Sequence, residues 1–141
     1  MTTTDDADRA PPPRSRDTRA DVPAEARTLT DPVLPFDLLA ELAALEQEHG
    51  WRNAGHSAKT LVKHHQFRVV LVALAKAKRM DTHTAEGAIS IQSIKGLVRV
   101  HVAGSTLELA TGGLLALAPG LAHDVEAVED SAFVLSVSTA K

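Results

Sequence analysis

The sequence predicts an all-β barrel or jelly roll, preceded by a short amphipathic helix and a disordered N-terminal tail. Three observations predict it. From Lys59 onward the chain breaks into short apolar or alternating runs at even spacing. Turn residues, chiefly glycine, separate the runs. All eight glycines lie at or after Gly50, and six of the seven prolines lie at or before Pro35, so the two parts of the chain differ in kind. The expected division is a tail over residues 1–30, a helix and connection over 31–50, and the barrel over 51–141.

Residues 1–30 mix Asp, Arg, Thr, Ala and Pro with almost no large apolar side chain. Such a segment cannot bury enough surface to offset its conformational entropy. A helix follows. Pro35 and Asp37 suit its start, Gly50 suits its stop, and His49 falls in the last turn. Leu38, Leu42 and Leu45 form a stripe, widened by Phe36, Leu39 and Ala43, with Glu41, Glu46, Gln47 and Glu48 largely opposite.

The strands come next. Residues 67–75 (FRVVLVALA) form a near-continuous apolar run, the pattern of a strand buried on both faces. The helix can cover only part of it, so a second copy of the chain is expected to supply the rest, making a homodimer. Residues 88–95 alternate, with Ile89 and Ile91 on one face, and Gly96 punctuates them. Residues 97–102 alternate again, with Val98, Val100 and Val102 opposite Arg99 and His101. Residues 103–105 read as a hairpin turn. Short strands over 106–109, 114–118, 122–127 and 131–137 complete the series.

Composition excludes several function classes. At 141 residues there is room for one domain. A net charge of −3 and 3% aromatic residues argue against a nucleic-acid footprint or a base-stacking platform. With no cysteine, disulfide and thiolate chemistry are absent. No apolar run approaches the length of a membrane span, and no secretory leader is visible, so a cytoplasmic protein is expected. No serine lies in a nucleophile elbow, and no glycine loop opens a helix to cradle phosphate.

Two blocks carry the remaining signal. The first, residues 80–89 (MDTHTAEGAI), reaches Gly96; the second runs from Gly112 through residues 118–123 (APGLAH) to Ala127. They resemble the two motifs of the cupin family, written G-x5-H-x-H-x3-E-x6-G and G-x5-P-x-G-x2-H-x3-N. Ala77 stands at the opening glycine, His83 at the first histidine, Ala85 at the second, Ile89 at the glutamate, and Gly96 closes the first motif. In the second, Gly112, Gly120 and His123 match, while Ala118 and Ala127 replace proline and asparagine. Fifteen residues separate Gly96 from Gly112, the short spacing of compact bacterial cupins. The resemblance implies a metal held by two histidines and a carboxylate from the first block and one histidine from the second. Of these, the chain keeps His83 and His123.

Period-two alternation puts His123 with Val125 and Ala127, on the face expected to line the barrel, and Asp124 and Glu126 opposite. If strands pair as in cupins, His83 and His123 meet at one end of the barrel. Asp81 has the parity of His83; with the two histidines it would make the two-histidine, one-carboxylate set used by non-haem iron. Gln92 on the following strand is another local donor. The candidate ligand-binding residues are therefore His83, Ala85, Ile89, Gln92 and His123, with His83 and His123 as metal ligands and Asp81 a conditional third. Iron, zinc, manganese or nickel would be the ion. Structural readings are preferred for His49, His56, His64, His65 and His101. His101 is expected to be exposed, and His64 and His65 to point to opposite faces of a strand.

Two functions follow. One is a binding or regulatory module for a small organic molecule, without a complete metal triad. The other is a metal-dependent cupin enzyme of oxygenase or isomerase type. A third reading places the function in the tail, as a partner-binding segment.

Overall fold

The structure is a computed structural model that describes residues 27–28, 32–83 and 85–138; the side chains of residues 27, 28, 82 and 83 are outside the description. The expected tail falls outside the described residues except for Arg27–Thr28, which form a short strand, β1. Two helices follow, α1 (Leu38–Leu45) and α2 (His49–Ala54). The remaining strands are β2 (His56–His64), β3 (Phe67–Leu74), β4 (Arg79–His83), β5 (Ile89–Lys95), β6 (Leu97–Val102), β7 (Ser105–Ala110), β8 (Leu114–Leu117), β9 (His123–Ala127) and β10 (Ser131–Ser138).

They build two sheets. The larger has the order β8-β5-β10-β3-β2-β1, the smaller β4-β9-β6-β7. All pairings are antiparallel except β1 with β2. Only β2–β3 and β6–β7 are hairpins within one sheet; from β3 to β10 every other connection crosses to the other sheet. That is a jelly roll, and it explains why turn residues recur at such even spacing.

The crossings are stitched by backbone bonds. Gly96 separates β5 from β6, and residues 111–113 separate β7 from β8. Thr111 Oγ1 donates to the Gly96 carbonyl at 3.3 Å, and the Gly112 N–H donates to Ser93 O at 2.8 Å. The two motif glycines therefore sit at neighbouring corners of one end of the barrel.

Alternation on the strands fills the space between the sheets. Val98, Val100, Val125, Ala127, Ile91, Val72 and Phe133 are all buried there. A second cluster lies outside the larger sheet, where Leu42 and Leu45 of α1 pack on Leu61, Leu71, Ala73, Ala132 and Val134. Leu71 and Ala73 are fully buried on this outer face. From Leu71 to Leu74 both faces of β3 are thus covered within one chain, while Phe67 and Arg68 at its start are exposed.

The single helix ending at Gly50 is a correction. Asp37 does cap α1, accepting the Ala40 N–H at 3.2 Å. The helix then tightens, with Gln47 bonded to Ala44 and Glu48 to Leu45, and Glu48 turns extended. Gly50 lies inside α2, which ends at Gly55, whose N–H bonds to Trp51 O. Packing of Trp51 against the outer cluster holds this second helix, and no local propensity announces it. Glu41, expected opposite the apolar stripe, is instead mostly buried and bonds the Lys59 ammonium at 2.7 Å. Glu46 bonds Lys95 likewise, so the helix is pinned to the sheet by charge as well as by leucines.

Ala77, at the position of the family's opening glycine, has φ +72°. An L-residue pays about 1 kcal/mol or more for that left-handed conformation. Ala77→Gly is expected to raise stability by about 0.5–1 kcal/mol after the added freedom of the unfolded chain is counted. Urea denaturation with an unchanged m-value checks it; a lower midpoint would contradict it.

Candidate functional site

His123 opens β9 and faces inward, 2% exposed. The Val125 and Ala127 parity that predicted this holds. Its Nδ1 lies 3.0 Å from the carbonyl oxygen of Leu121. A carbonyl only accepts, so Nδ1 carries the proton and Nε2 carries the lone pair in the neutral ring. The backbone turn ahead of β9 thus fixes the tautomer.

Across the ladder His83 occupies the register position directly opposite His123. The expected meeting of these two positions is therefore present in the backbone, although the His83 side chain is outside the description. The two blocks are tied a second time where the Gly120 N–H donates to Ala85 O at 2.9 Å.

The β4–β9 ladder then breaks its count. His83 pairs with His123, but Met80 rather than Asp81 pairs with Val125. Asp81 and Thr82 together oppose Asp124, a β-bulge that adds one residue to β4. Met80 takes the interior position and packs against the core, while Asp81 is exposed. The parity that linked Asp81 to His83 does not survive the bulge. This corrects the expectation of Asp81 as a third ligand.

The other candidates separate in the same way. Ile89 is 5% exposed and belongs to the interior core. Ala85 packs against that core, half-buried. Gln92 does not join them: it is exposed on the outer face, between buried Ile91 and Ser93. Period two, applied to the Ile89 and Ile91 face, already assigns it there.

Around Ile89 the inner face of the larger sheet is apolar. Val70, Leu115, Leu135 and Val137 point to the interior cluster but are only half-buried, whereas Val72, Phe133 and Ser93, deeper along the same strands, are sealed. The interior is therefore less covered at the end of β3 and β10 that lies beside Ile89, although Ile89 and its register partner Leu117 are themselves buried. This mouth is an apolar ring beside one buried imidazole, whose Nε2 is itself covered.

Fold similarity can now be weighed against this geometry. A conserved protein of unknown function from Streptococcus pyogenes superimposes with a TM-score of 0.62 at 20% identity, covering 77% of this chain and 90% of that one. An RmlC-like cupin from Shewanella frigidimarina gives a TM-score of 0.57 at 18% identity, covering 62% and 78%. The chain has the cupin fold. Salicylate 1,2-dioxygenase from Pseudoaminobacter salicylatoxidans also matches, with a TM-score of 0.65 at 15% identity, over 73% of this chain but 32% of the dioxygenase. This cupin barrel thus spans about a third of that enzyme. No family model and no curated relative matches the sequence.

Cupin metal sites imply a test of the donor set. A stable site usually needs at least three protein ligands. Here the motif positions offer His123 and the register position of His83, together with Ala85 and Ile89, which have no donor atom. Among the described residues no group of three or more His, Cys, Asp or Glu converges to hold an ion. The described donor set does not fit the family's metal.

The remaining histidines are placed by local structure. His64 and His65 do not split across a strand: residues 65–66 are the β2–β3 turn, and the two rings approach to 4.2 Å. His101 is half-buried rather than exposed. It bonds Thr106 Oγ1 at 3.0 Å and Glu126 at 3.3 Å on the outer face of the smaller sheet. His56, expected in a loop, begins β2. The five residues of β4 (RMDTH) form a strand, but the bulge interrupts their alternation.

Proposed function

We propose that this cupin-fold protein binds a small organic molecule in the barrel mouth and does so without a tightly held metal. The observation that carries the reading is Ile89. At the position where the family places its carboxylate ligand, the side chain is an alkyl group 5% exposed and packed in the core. Ligand pockets of this kind are apolar with a few placed polar groups that fix orientation. The mouth supplies the apolar part through Val70, Leu115, Leu135 and Val137. His123 supplies the polar part, with Nε2 set as an acceptor by the Leu121 carbonyl. A largely apolar ligand with one hydroxyl or N–H donor suits it. A cytoplasmic location accompanies this reading, supported by a chain without cysteine; no helix among the described residues is long and apolar enough to cross a membrane.

The test has two arms. Metal analysis of protein purified from metal-replete medium is expected to find no stoichiometric iron, zinc, manganese or nickel. 2-Naphthol is expected to raise the melting temperature of the native chain but not of His123→Leu. Near-stoichiometric metal that disappears in His83→Ala and His123→Ala variants would overturn the reading.

The same register favours a second reading, a metal-dependent enzyme. His83 opposite His123, and a histidine whose Nδ1–H is held by a backbone carbonyl, are both features of metal-ligating pairs. It requires a third donor from outside the motif positions.

A further inference from the structure

The jelly roll leaves a slot on its flank. β2 pairs with β3 along its length, but with β1 only at Val62 and Lys63. β4 pairs with β9 alone among the described strands. The start of β2 and the start of β4 therefore face each other with an unpaired edge apiece. Between them lies a cavity of about 350 Å³. That is within the range of small-molecule pockets, roughly 300–1,000 Å³.

Its chemistry is divided. The floor is Val72, Leu74 and Met80, side chains of the interior cluster that show through between the sheets. The rim carries Arg79, His56 and Asp81. The Arg79 side chain is half-exposed, and its recorded ion pair is a long contact, 3.4 Å to Asp124. Among the described residues this is its one side-chain contact, so most of its five N–H donors can serve a ligand, and a guanidinium fork matches a carboxylate. Asp81 repels a carboxylate from its own side of the rim and so favours the Arg79 side.

We propose that this slot is a second binding site, for a small carboxylate with an aromatic or branched apolar body. The body lies on Val72, Leu74 and Met80, and the carboxylate pairs with Arg79. The slot is at the opposite end of β4 from His83 and shares no residue with the mouth, so it stands or falls apart from the His123 reading.

Calorimetric titration of the full chain tests it with two probes, 2-naphthoate and its neutral methyl ester, which has no hydroxyl or N–H to offer His123. Native protein is expected to bind 2-naphthoate. Arg79→Met should weaken 2-naphthoate about 10-fold, the worth of one charge-assisted pair, and leave the ester within about 2-fold. Ala58→Trp, at an exposed position on the slot wall, should abolish both by filling the space. His123→Leu should change neither. Both slot variants alter exposed positions, and an unchanged melting curve confirms their folding. Unaltered 2-naphthoate binding in Arg79→Met or Ala58→Trp would overturn the proposal. So would its loss in His123→Leu, or no binding by native protein.

Discussion

Gly96→Ala is expected to cost roughly 3–5 kcal/mol, a large part of the stability of a small domain. Two causes act together. Gly96 has φ +78°, which costs an alanine about 1–2 kcal/mol. Its added Cβ would also run into Asp130 O and Ser131 Oγ. Neither can step aside. Ser131 is 1% exposed. Its hydroxyl accepts the Leu97 N–H at 3.0 Å and lies 2.6 Å from Glu129 O, to which it donates. The collision thus breaks the clasp that turns the chain from one sheet into the other, leaving buried polar groups unsatisfied at about 1–3 kcal/mol. Gly112→Ala is the internal control. It has φ +92° but nothing within 4 Å of an added Cβ, so only the conformational cost of about 1–2 kcal/mol applies. In thermal melts Gly96→Ala should fall by roughly 10–20 °C and Gly112→Ala by roughly 4–8 °C. Equal losses would show that the clasp contributes nothing.

Restoring the family's donors should have an effect of opposite sign in the presence of metal. The double variant Ala85→His, Ile89→Glu places an imidazole and a carboxylate at the two motif positions that now lack them. Without metal it should be destabilised by several kcal/mol, because a carboxylate replaces an alkyl group in a packed core. With zinc or nickel at about 1,000 times the dissociation constant it should regain about 4 kcal/mol. The native chain should gain nothing under the same conditions. Ile89→Glu alone should show the loss without a comparable rescue. A double variant that does not respond to metal would mean that the His83 and His123 positions, though opposite in register, are not shaped for coordination.

Much of the fold is legible in the sequence because period two leaves a direct record in it. Val98, Val100 and Val102 predict the inner face of β6, and Val125 predicts the orientation of His123. The site is less legible, for a physical reason that one residue illustrates. Asp81 belongs with His83 by counting, but counting assumes an unbroken ladder, and a bulge has no local signature in residues 79–83. The second helix was hidden similarly. Trp51 is held by packing on the larger sheet, a tertiary contact that overrides Gly50 as a stop. The two motif glycines look alike in sequence, and only their neighbours reveal that one guards a crowded corner and the other an open one.

The bulge in β4 has a further meaning for how such chains change over generations. Its extra residue is absorbed between two fixed points, Met80 opposite Val125 and His83 opposite His123. A codon lost or gained there shortens or lengthens the blister and leaves both anchors in place. The strand that carries the histidine can therefore drift in length without moving either anchor. Relatives compared by spacing alone would be misaligned by one residue just where their chemistry is decided.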